Sequence, residues 1–155
     1  NNLYSVYSHL AKRQPNGRKI HDMVNAMGVP SLEIDGNDAE TVYGAALAAV
    51  NQIRDGGGPQ FLELITYRWR EHCGPNFDND IGYRTEQEFQ DWKRKDPIPR
   101  LANKLLNQHV LDKAMLKKME DELQAEVSAA FEFAEASPFP YSDKAFAGLF
   151  ADRSQ

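Results

Sequence analysis

The sequence contains one cysteine, no apolar run long enough to span a bilayer and no excess of positive charge. One cysteine cannot form an internal disulfide, which is typical of a protein from a reducing compartment such as the cytosol. The formal net charge of -5 argues against a nucleic-acid-binding surface and against a polybasic membrane anchor. No Gly-x-Gly-x-x-Gly loop follows a predicted strand, and Gly56-Gly57-Gly58 comes after a helix, where it favours a helix end over a nucleotide loop.

The chain has enough length and apolar content to bury a core, with 155 residues of which 41% are hydrophobic. Its hydrophobic periodicity switches between the strand and helix repeats. In chain order the patterns predict the end of a strand at 1–7, a helix at 17–27, a strand at 32–35, a helix at 37–54 and a strand at 61–67. This alternation predicts a parallel sheet with right-handed crossovers, and therefore an α/β fold.

Helical signals dominate after residue 85. Thr85 with Glu88 forms a capping box, Asp96 precedes Pro97 at a second helix start, and Asp112 caps a long helix that reaches about residue 136. That long helix has an apolar stripe that we expect to pack on the rest of the domain, as part of the core or as a subunit contact. Its members are Met115, Met119, Leu123, Val127, Ala130, Phe131 and Ala134. We therefore divide the chain into an α/β part, 1–84, and a helical extension with a docking tail, 85–155. We expect the tail to dock on a neighbouring subunit or on its own domain through Phe139, Tyr141, Phe146, Leu149 and Phe150.

The loop at 68–84 has the highest density of chemically active side chains and directly follows a buried-type strand. His72 beside Cys73 could form a thiolate–imidazole pair, although adjacent residues usually point apart. A calcium loop is a second alternative, built from Asn76, Asp78 and Asp80. Its glycine comes one position late and Gln87 stands where the last carboxylate ligand belongs. We favour carboxylates that fold the loop through hydrogen bonds, including bonds to Arg84.

Asn1-Asn2-Leu3-Tyr4 offers neutral oxygen ligands at the end of a predicted strand, and Mg²⁺ accepts such ligands together with carboxylate and phosphate oxygens. An ordinary turn explains the same residues. The pattern also places His21 and His109 on solvated helical surfaces.

Five segments, taken in order, resemble one family. They are Asn-Asn-Leu-Tyr, Val-Pro-Ser-Leu-Glu-Ile-Asp-Gly-Asn-Asp, Gly-Gly-Gly-Pro-Gln-Phe-Leu-Glu-Leu, Thr-Tyr-Arg-Trp-Arg-Glu-His and Gly-Tyr-Arg-Thr. The family is the alpha subunit of the thiamine-diphosphate-dependent first component of 2-oxoacid dehydrogenase complexes, including acetoin dehydrogenases. The resemblance covers nearly the whole chain, is weakest in the tail, and implies the carboxyl-terminal portion of such a subunit.

The resemblance also implies site residues. Asn2 and the backbone carbonyl of Tyr4 would bind the Mg²⁺ that holds the cofactor diphosphate, with an aspartate from a Gly-Asp-Gly motif upstream of this chain. His72 would contact the diphosphate side and serve proton and acyl transfer. Tyr83 and Arg84 would order the loop. Mammalian relatives carry a phosphorylatable serine where this chain has Cys73, so the resemblance does not extend to kinase control there.

The activity implied by the resemblance is oxidative decarboxylation of a 2-oxoacid, or acetoin cleavage, with acyl transfer to a lipoyl carrier. The implied partners are a beta subunit, in an alpha2-beta2 heterotetramer, and a lipoyl-bearing acyltransferase. The implied compartment is the cytoplasm, or the mitochondrial matrix in a eukaryote. We expect this chain to be inactive alone. A non-catalytic α/β assembly domain of the same fold is the alternative, and the sequence does not select the substrate.

Overall fold

The computed structural model describes residues 1–142, 144 and 148 and divides the chain into two compact units, 1–110 and 111–155. The elements of the first unit, in chain order, are β1 (Tyr4–Ser5), β2 (Ser8–His9), α1 (Leu10–Arg13), α2 (Ile20–Ala26), β3 (Ser31–Asp35), α3 (Ala39–Arg54), β4 (Phe61–Ile65), a 3-10 turn (Asn79–Ile81), α4 (Glu86–Lys93) and α5 (Pro97–Asn107). The second unit contains α6 (Lys113–Ala136). The division predicted at residue 84 stays a prediction.

Strands β3 and β4 form the parallel pair expected from the sequence. They run in register from Ser31 beside Phe61 to Asp35 beside Ile65. Asn1 lies on the other side of β4, where its backbone nitrogen donates to Leu64 at 2.8 Å and its carbonyl accepts from Thr66 at 2.9 Å. These two bonds flank Ile65 in the pattern of parallel pairing. The α/β prediction is therefore confirmed, and Asn1 continues the same sheet.

The helix boundaries follow capping signals that are local in sequence. Asp96 accepts from the Ile98 backbone nitrogen at 2.9 Å, and Thr85 accepts from that of Glu88 at 3.1 Å, as predicted. The sequence predicts a helix from residue 37, with Asn37 in the capping position before Glu40, but α3 starts at Ala39. Asp38 accepts from the first turn instead, because Asn37 is buried and binds the Asp35 carboxylate through its side chain.

The buried core of the first unit is aromatic and lies beneath loop 68–84. Tyr4, Tyr67 and Phe89 are its buried members. Tyr67 stacks on Trp92 of α4, with ring centroids 5.4 Å apart, and meets Tyr4 edge-on at 6.0 Å. Such pairs add about 0.5–1.5 kcal/mol beyond the area they bury. The core thus joins the end of β4 to α4 and to the segment that contains Tyr4.

In the second unit, α6 is capped as predicted, because the Asp112 carboxylate accepts from the Met115 backbone nitrogen at 2.7 Å. The larger members of its apolar stripe are 45–67% exposed: Met115, Met119, Leu123, Val127 and Phe131. The expected packing of this stripe stays a prediction. Of the expected docking tail, Phe139 and Tyr141 are exposed, and Phe146, Leu149 and Phe150 lie outside the described residues.

Among the described helices, none combines the length and apolar character needed to cross a bilayer.

Candidate functional site

The two predicted functional segments lie together at the carboxyl end of β4. Residues 1–4 are here called the Asn turn. Its first residue lies beside the end of β4, because the Thr66 backbone nitrogen donates to the Asn1 carbonyl. Loop 68–84 starts three residues after β4 ends at Ile65. Ligands of open α/β sheets bind at the carboxyl ends of the parallel strands. The location therefore suits a binding site made by both segments.

The Asn turn is closed by its own side chains. The Asn1 side-chain oxygen accepts from the Leu3 backbone nitrogen at 3.0 Å, and that of Asn2 accepts from the Tyr4 backbone nitrogen at 3.2 Å. Leu3 has a φ of 69°, a left-handed conformation that is unfavourable for a residue with a side chain. Such strained positions persist when the surrounding bonds hold them, and they are common at functional sites.

Tyr4 is held on both its side chain and its backbone. Its ring is buried, and its hydroxyl donates to the Glu88 carboxylate at 2.7 Å. Burial raises the pKa of this hydroxyl, and the hydrogen bond to Glu88 and its charge raise the pKa further, so the group stays protonated. Tyr4 also pairs with His9 in the β1–β2 hairpin, next to the bond from the Leu10 nitrogen to the Leu3 carbonyl. Hydrogen-bonded and non-bonded pairs alternate in such a hairpin, so the Tyr4 carbonyl is left outside the ladder.

The base of loop 68–84 is fixed by a buried ion pair. The Arg84 side chain is fully buried and donates to the Asp78 carboxylate and to the backbone carbonyls of Arg68 and Trp69, the last at 3.1 Å. Asp78 also accepts the Tyr83 hydroxyl at 2.8 Å. One guanidinium therefore ties the start of the loop to its end.

The tip of the loop is a small turn that presents His72 and Cys73 to solvent. Glu71 closes it: its backbone nitrogen donates to the Asn76 carbonyl at 2.9 Å, and its carboxylate accepts from the Asn76 side chain at 2.9 Å. His72 and Cys73 are both exposed. The structure places no protein hydrogen bond on the His72 ring among the described residues, which leaves both ring nitrogens open to a ligand.

Arg68 connects the loop to the hairpin that carries Tyr4. One of its terminal nitrogens donates to the Val6 carbonyl at 2.7 Å and to the Tyr83 hydroxyl at 3.0 Å. The Tyr83 ring packs edge-on against Tyr4, with centroids 5.3 Å apart. The loop and the Asn turn are thus parts of one packed unit, although the sequence alone gave no role to Arg68.

The calcium alternative loses ligands in this arrangement. Asp78 is engaged by Arg84 and Tyr83, and Asn76 is engaged by Glu71, so two of the three candidate ligands hold the loop together. The nucleophile alternative gains no support either, since Cys73 is exposed and no basic side chain among the described residues contacts its sulfur.

Comparison with known protein families matches residues 1–142 to the family described as Dehydrogenase E1 component. The chain belongs to this family. It is 33% identical over 134 residues to the pyruvate dehydrogenase E1 component subunit alpha of Porphyra purpurea, covering 86% of this chain and 38% of that protein. It is 32% identical over 136 residues to the subunit of the same name from Acholeplasma laidlawii, covering 88% and 39%.

A chloroplastic relative, pyruvate dehydrogenase E1 component subunit alpha-3 of Oryza sativa subsp. japonica, is 32% identical over 153 residues, or 98% of this chain and 35% of its own length. The chain therefore spans about two fifths of the length of the curated relatives it matches. The resemblance stated from the motifs is confirmed at the level of the family.

The expectation for His21 was also wrong. His21 is not a solvated surface histidine: its side chain is 16% exposed and lies against Glu63 and Glu33. Glu63 itself is buried within the apolar run of β4 and binds the Asn1 side chain at 2.7 Å. The position of Glu63 in the sequence could have indicated this pairing, since a single carboxylate inside an apolar strand must be paired.

Proposed function

We propose that this chain forms the diphosphate-binding side of a thiamine-diphosphate site in the alpha subunit of a 2-oxoacid dehydrogenase. The observation that carries the proposal is the joining of the Asn turn to loop 68–84, through Arg68 and Tyr83, at the carboxyl end of β4. Family membership over residues 1–142 supports the same activity. The similarity to pyruvate dehydrogenase subunits makes pyruvate the first substrate to test, ahead of branched-chain oxoacids and acetoin.

The proposed magnesium ligands from this chain are the side-chain oxygen of Asn2 and the carbonyl of Tyr4. Both fit the role, because the Asn2 oxygen uses one acceptor position on the Tyr4 nitrogen and keeps another, and the Tyr4 carbonyl is outside the hairpin ladder. Both are neutral, whereas Mg²⁺ prefers at least one carboxylate. The remaining protein ligand would be the aspartate that the family resemblance places before Asn1. Residues 1–155 alone are accordingly proposed to be inactive.

His72 is the proposed proton-transfer residue, exposed at the tip of a loop whose base is rigid. Imidazole is suited to donate and accept protons near neutral pH. Bound thiamine diphosphate would supply the electron sink for decarboxylation, as this cofactor does generally. The chain's part is to orient the diphosphate and to hold the His72 ring where a proton is exchanged. An exposed tip also leaves room for a lipoyl-bearing partner.

The proposed partners are a beta subunit, in an alpha2-beta2 heterotetramer, and a lipoyl-bearing acyltransferase to which the acyl group passes. The proposed compartment is the cytoplasm, or the mitochondrial matrix in a eukaryote. Family membership supports a multisubunit assembly. It does not favour the non-catalytic assembly domain, which becomes an outcome of the following test.

The test is made with the complete alpha subunit co-expressed with its beta subunit. Binding of thiamine diphosphate is measured with and without Mg²⁺, and pyruvate-dependent reduction of an artificial electron acceptor is measured separately from acylation of a lipoyl domain. Asn2→Ala should weaken Mg²⁺-dependent cofactor binding. His72→Asn should still bind the cofactor, weakened only by loss of the proposed imidazole contact to the diphosphate, and should lower turnover by about 10²–10⁴-fold, the usual contribution of general acid–base catalysis.

His109→Asn is the matched control, since it also replaces an exposed histidine, two residues after α5 ends. It should leave both cofactor binding and turnover unchanged. An assembled protein that binds no thiamine diphosphate would support the non-catalytic alternative. Turnover that is equal in wild type and His72→Asn would remove His72 from the mechanism.

A further inference from the structure

Two carboxylates lie side by side on the sheet. Glu33 of β3 and Glu63 of β4 are directly paired in the parallel register. Registered residues of neighbouring strands project from the same face, so these two side chains are neighbours. Like charges in that relation destabilise a sheet unless a positive group lies between them. The Glu63 side chain is only 4% exposed, so water cannot replace a positive group in stabilising its charge.

His21, the second residue of α2, lies against this pair. Its Nδ1 is 3.1 Å from Glu63 Oε2 and 3.3 Å from Glu33 Oε2. One possible ligand atom from each of the three residues, His21, Glu33 and Glu63, lies within 4.8 Å of the other two. Two ligands of a tetrahedral Zn²⁺, with bonds of about 2.1 Å, lie roughly 3.4 Å apart. The histidine–carboxylate separations therefore match a shared coordination sphere.

The outer atoms of the cluster are already held by other donors. Glu63 Oε1 accepts from the Asn1 side chain at 2.7 Å, and Glu33 Oε1 lies 3.5 Å from the Lys19 ammonium. On both carboxylates the other oxygen is the one turned toward the His21 ring. The His21 backbone nitrogen also donates to Glu63 Oε2 at 2.9 Å, which fixes α2 over the strand.

The second nitrogen of the His21 ring faces another carboxylate. Nε2 is 3.3 Å from Asp22 Oδ1. A histidine that binds a metal through one nitrogen usually directs its other N–H to a carboxylate or carbonyl, which fixes the tautomer and raises the basicity of the ligand. The 3.3 Å contact with Asp22 favours Nδ1 as the ligating nitrogen.

We propose that His21, Glu33 and Glu63 bind a divalent transition metal of the Zn²⁺ type, with Asp22 positioning the imidazole. Imidazole with carboxylates suits such ions, and a bound cation would offset the paired charges of Glu33 and Glu63. The ion would join α2 to β3 and β4, so its role is structural. The site is distinct from the proposed magnesium ligands at Asn2 and Tyr4 and does not depend on the proposed function.

The competing explanation is that contacts between the His21 ring and the two carboxylates hold the cluster together without a metal. Calorimetric titration with Zn²⁺, in a buffer that contains excess Mg²⁺ to fill the proposed magnesium site, separates the two. The purified protein should bind one Zn²⁺ saturably through these residues, and its melting temperature should rise. Co²⁺ bound in the same place should give the visible absorption of a site with low coordination number.

Substitutions assign the binding to these residues. His21→Gln and Glu33→Gln should each abolish saturable binding, and Asp22→Asn should weaken it by about 10–100-fold. The Glu33 side chain is 33% exposed, so Glu33→Gln provides the test if His21→Gln fails to fold by circular dichroism. His109→Gln and Asn2→Ala should bind Zn²⁺ as wild type does. Absence of saturable binding to wild type, or equal binding by Glu33→Gln, overturns the proposal.

Discussion

Replacing Arg84 with methionine should release loop 68–84 from its base. The substitution keeps most of the side-chain volume but removes donors to the Asp78 carboxylate and to the carbonyls of Arg68 and Trp69. Asp78, itself only 5% exposed, then keeps a single described partner, the Tyr83 hydroxyl. Breaking a buried ion pair in this way costs about 3–5 kcal/mol, because an uncompensated charge is left in the interior.

The loss should appear first in the loop, since local opening is available at lower cost than global unfolding. Urea unfolding measures the global part of the change. Hydrogen exchange of peptides that cover 68–84 measures the local part. We expect exchange there to accelerate strongly, with much smaller changes in α3.

Arg94→Met is the matched control, because Arg94 pairs with Asp91 on the surface of α4, where the two side chains are 67% and 48% exposed. An exposed pair of this kind is worth about 0–1 kcal/mol. A double variant, Arg84→Met with Asp78→Leu, removes both buried charges and should cost less than the sum of the two single changes. If Arg84→Met cost no more than Arg94→Met, the ion pair would not be what orders this loop.

Two further changes test the packing and the electrostatics of the first unit. Gly36→Ala should lower the free energy of unfolding in urea by about 1–3 kcal/mol, because its Cβ would lie 2.6 Å from the Thr66 methyl. Gly44→Ala is the control: it has open space around it in α3 and should raise the free energy of unfolding by about 0.5–1 kcal/mol. Equal effects of the two substitutions would contradict the packing. The hydrogen bond from the Thr41 backbone N–H and the charge of Arg100 lower the pKa of Asp38 below its ordinary 3.8. Burial raises the pKa, but its effect is smaller than that of the Thr41 hydrogen bond. The stabilisation from Asp38 is therefore present above pH 3.8 and lost as the pH falls below it, so Asp38→Asn should flatten the unfolding free energy from about pH 5 to about pH 3, and an unchanged pH profile would refute this.

The features predicted correctly from the sequence are those set by neighbours in the chain. The caps at Thr85, Asp96 and Asp112 depend on a side chain two or three residues from the backbone nitrogen it binds. The parallel strand pair follows from hydrophobic runs separated by helical patterns. Family membership follows from ordered motifs spread along the chain.

The features missed depend on contacts between residues far apart in the sequence. His21 is adjacent to Glu33 and Glu63 only because β3 and β4 pair in register beneath α2. The Glu88 carboxylate, expected in the capping box with Thr85, accepts the Tyr4 hydroxyl across 84 positions of the chain. No local pattern identifies the partner in either contact.

Cofactor binding and turnover in the assembled alpha and beta subunits test the central claim most directly. Asn2→Ala should weaken Mg²⁺-dependent binding of thiamine diphosphate, while His72→Asn should still bind the cofactor and decarboxylate pyruvate far more slowly. Normal cofactor affinity in Asn2→Ala together with normal turnover in His72→Asn would contradict the claim that the Asn turn and loop 68–84 form one site.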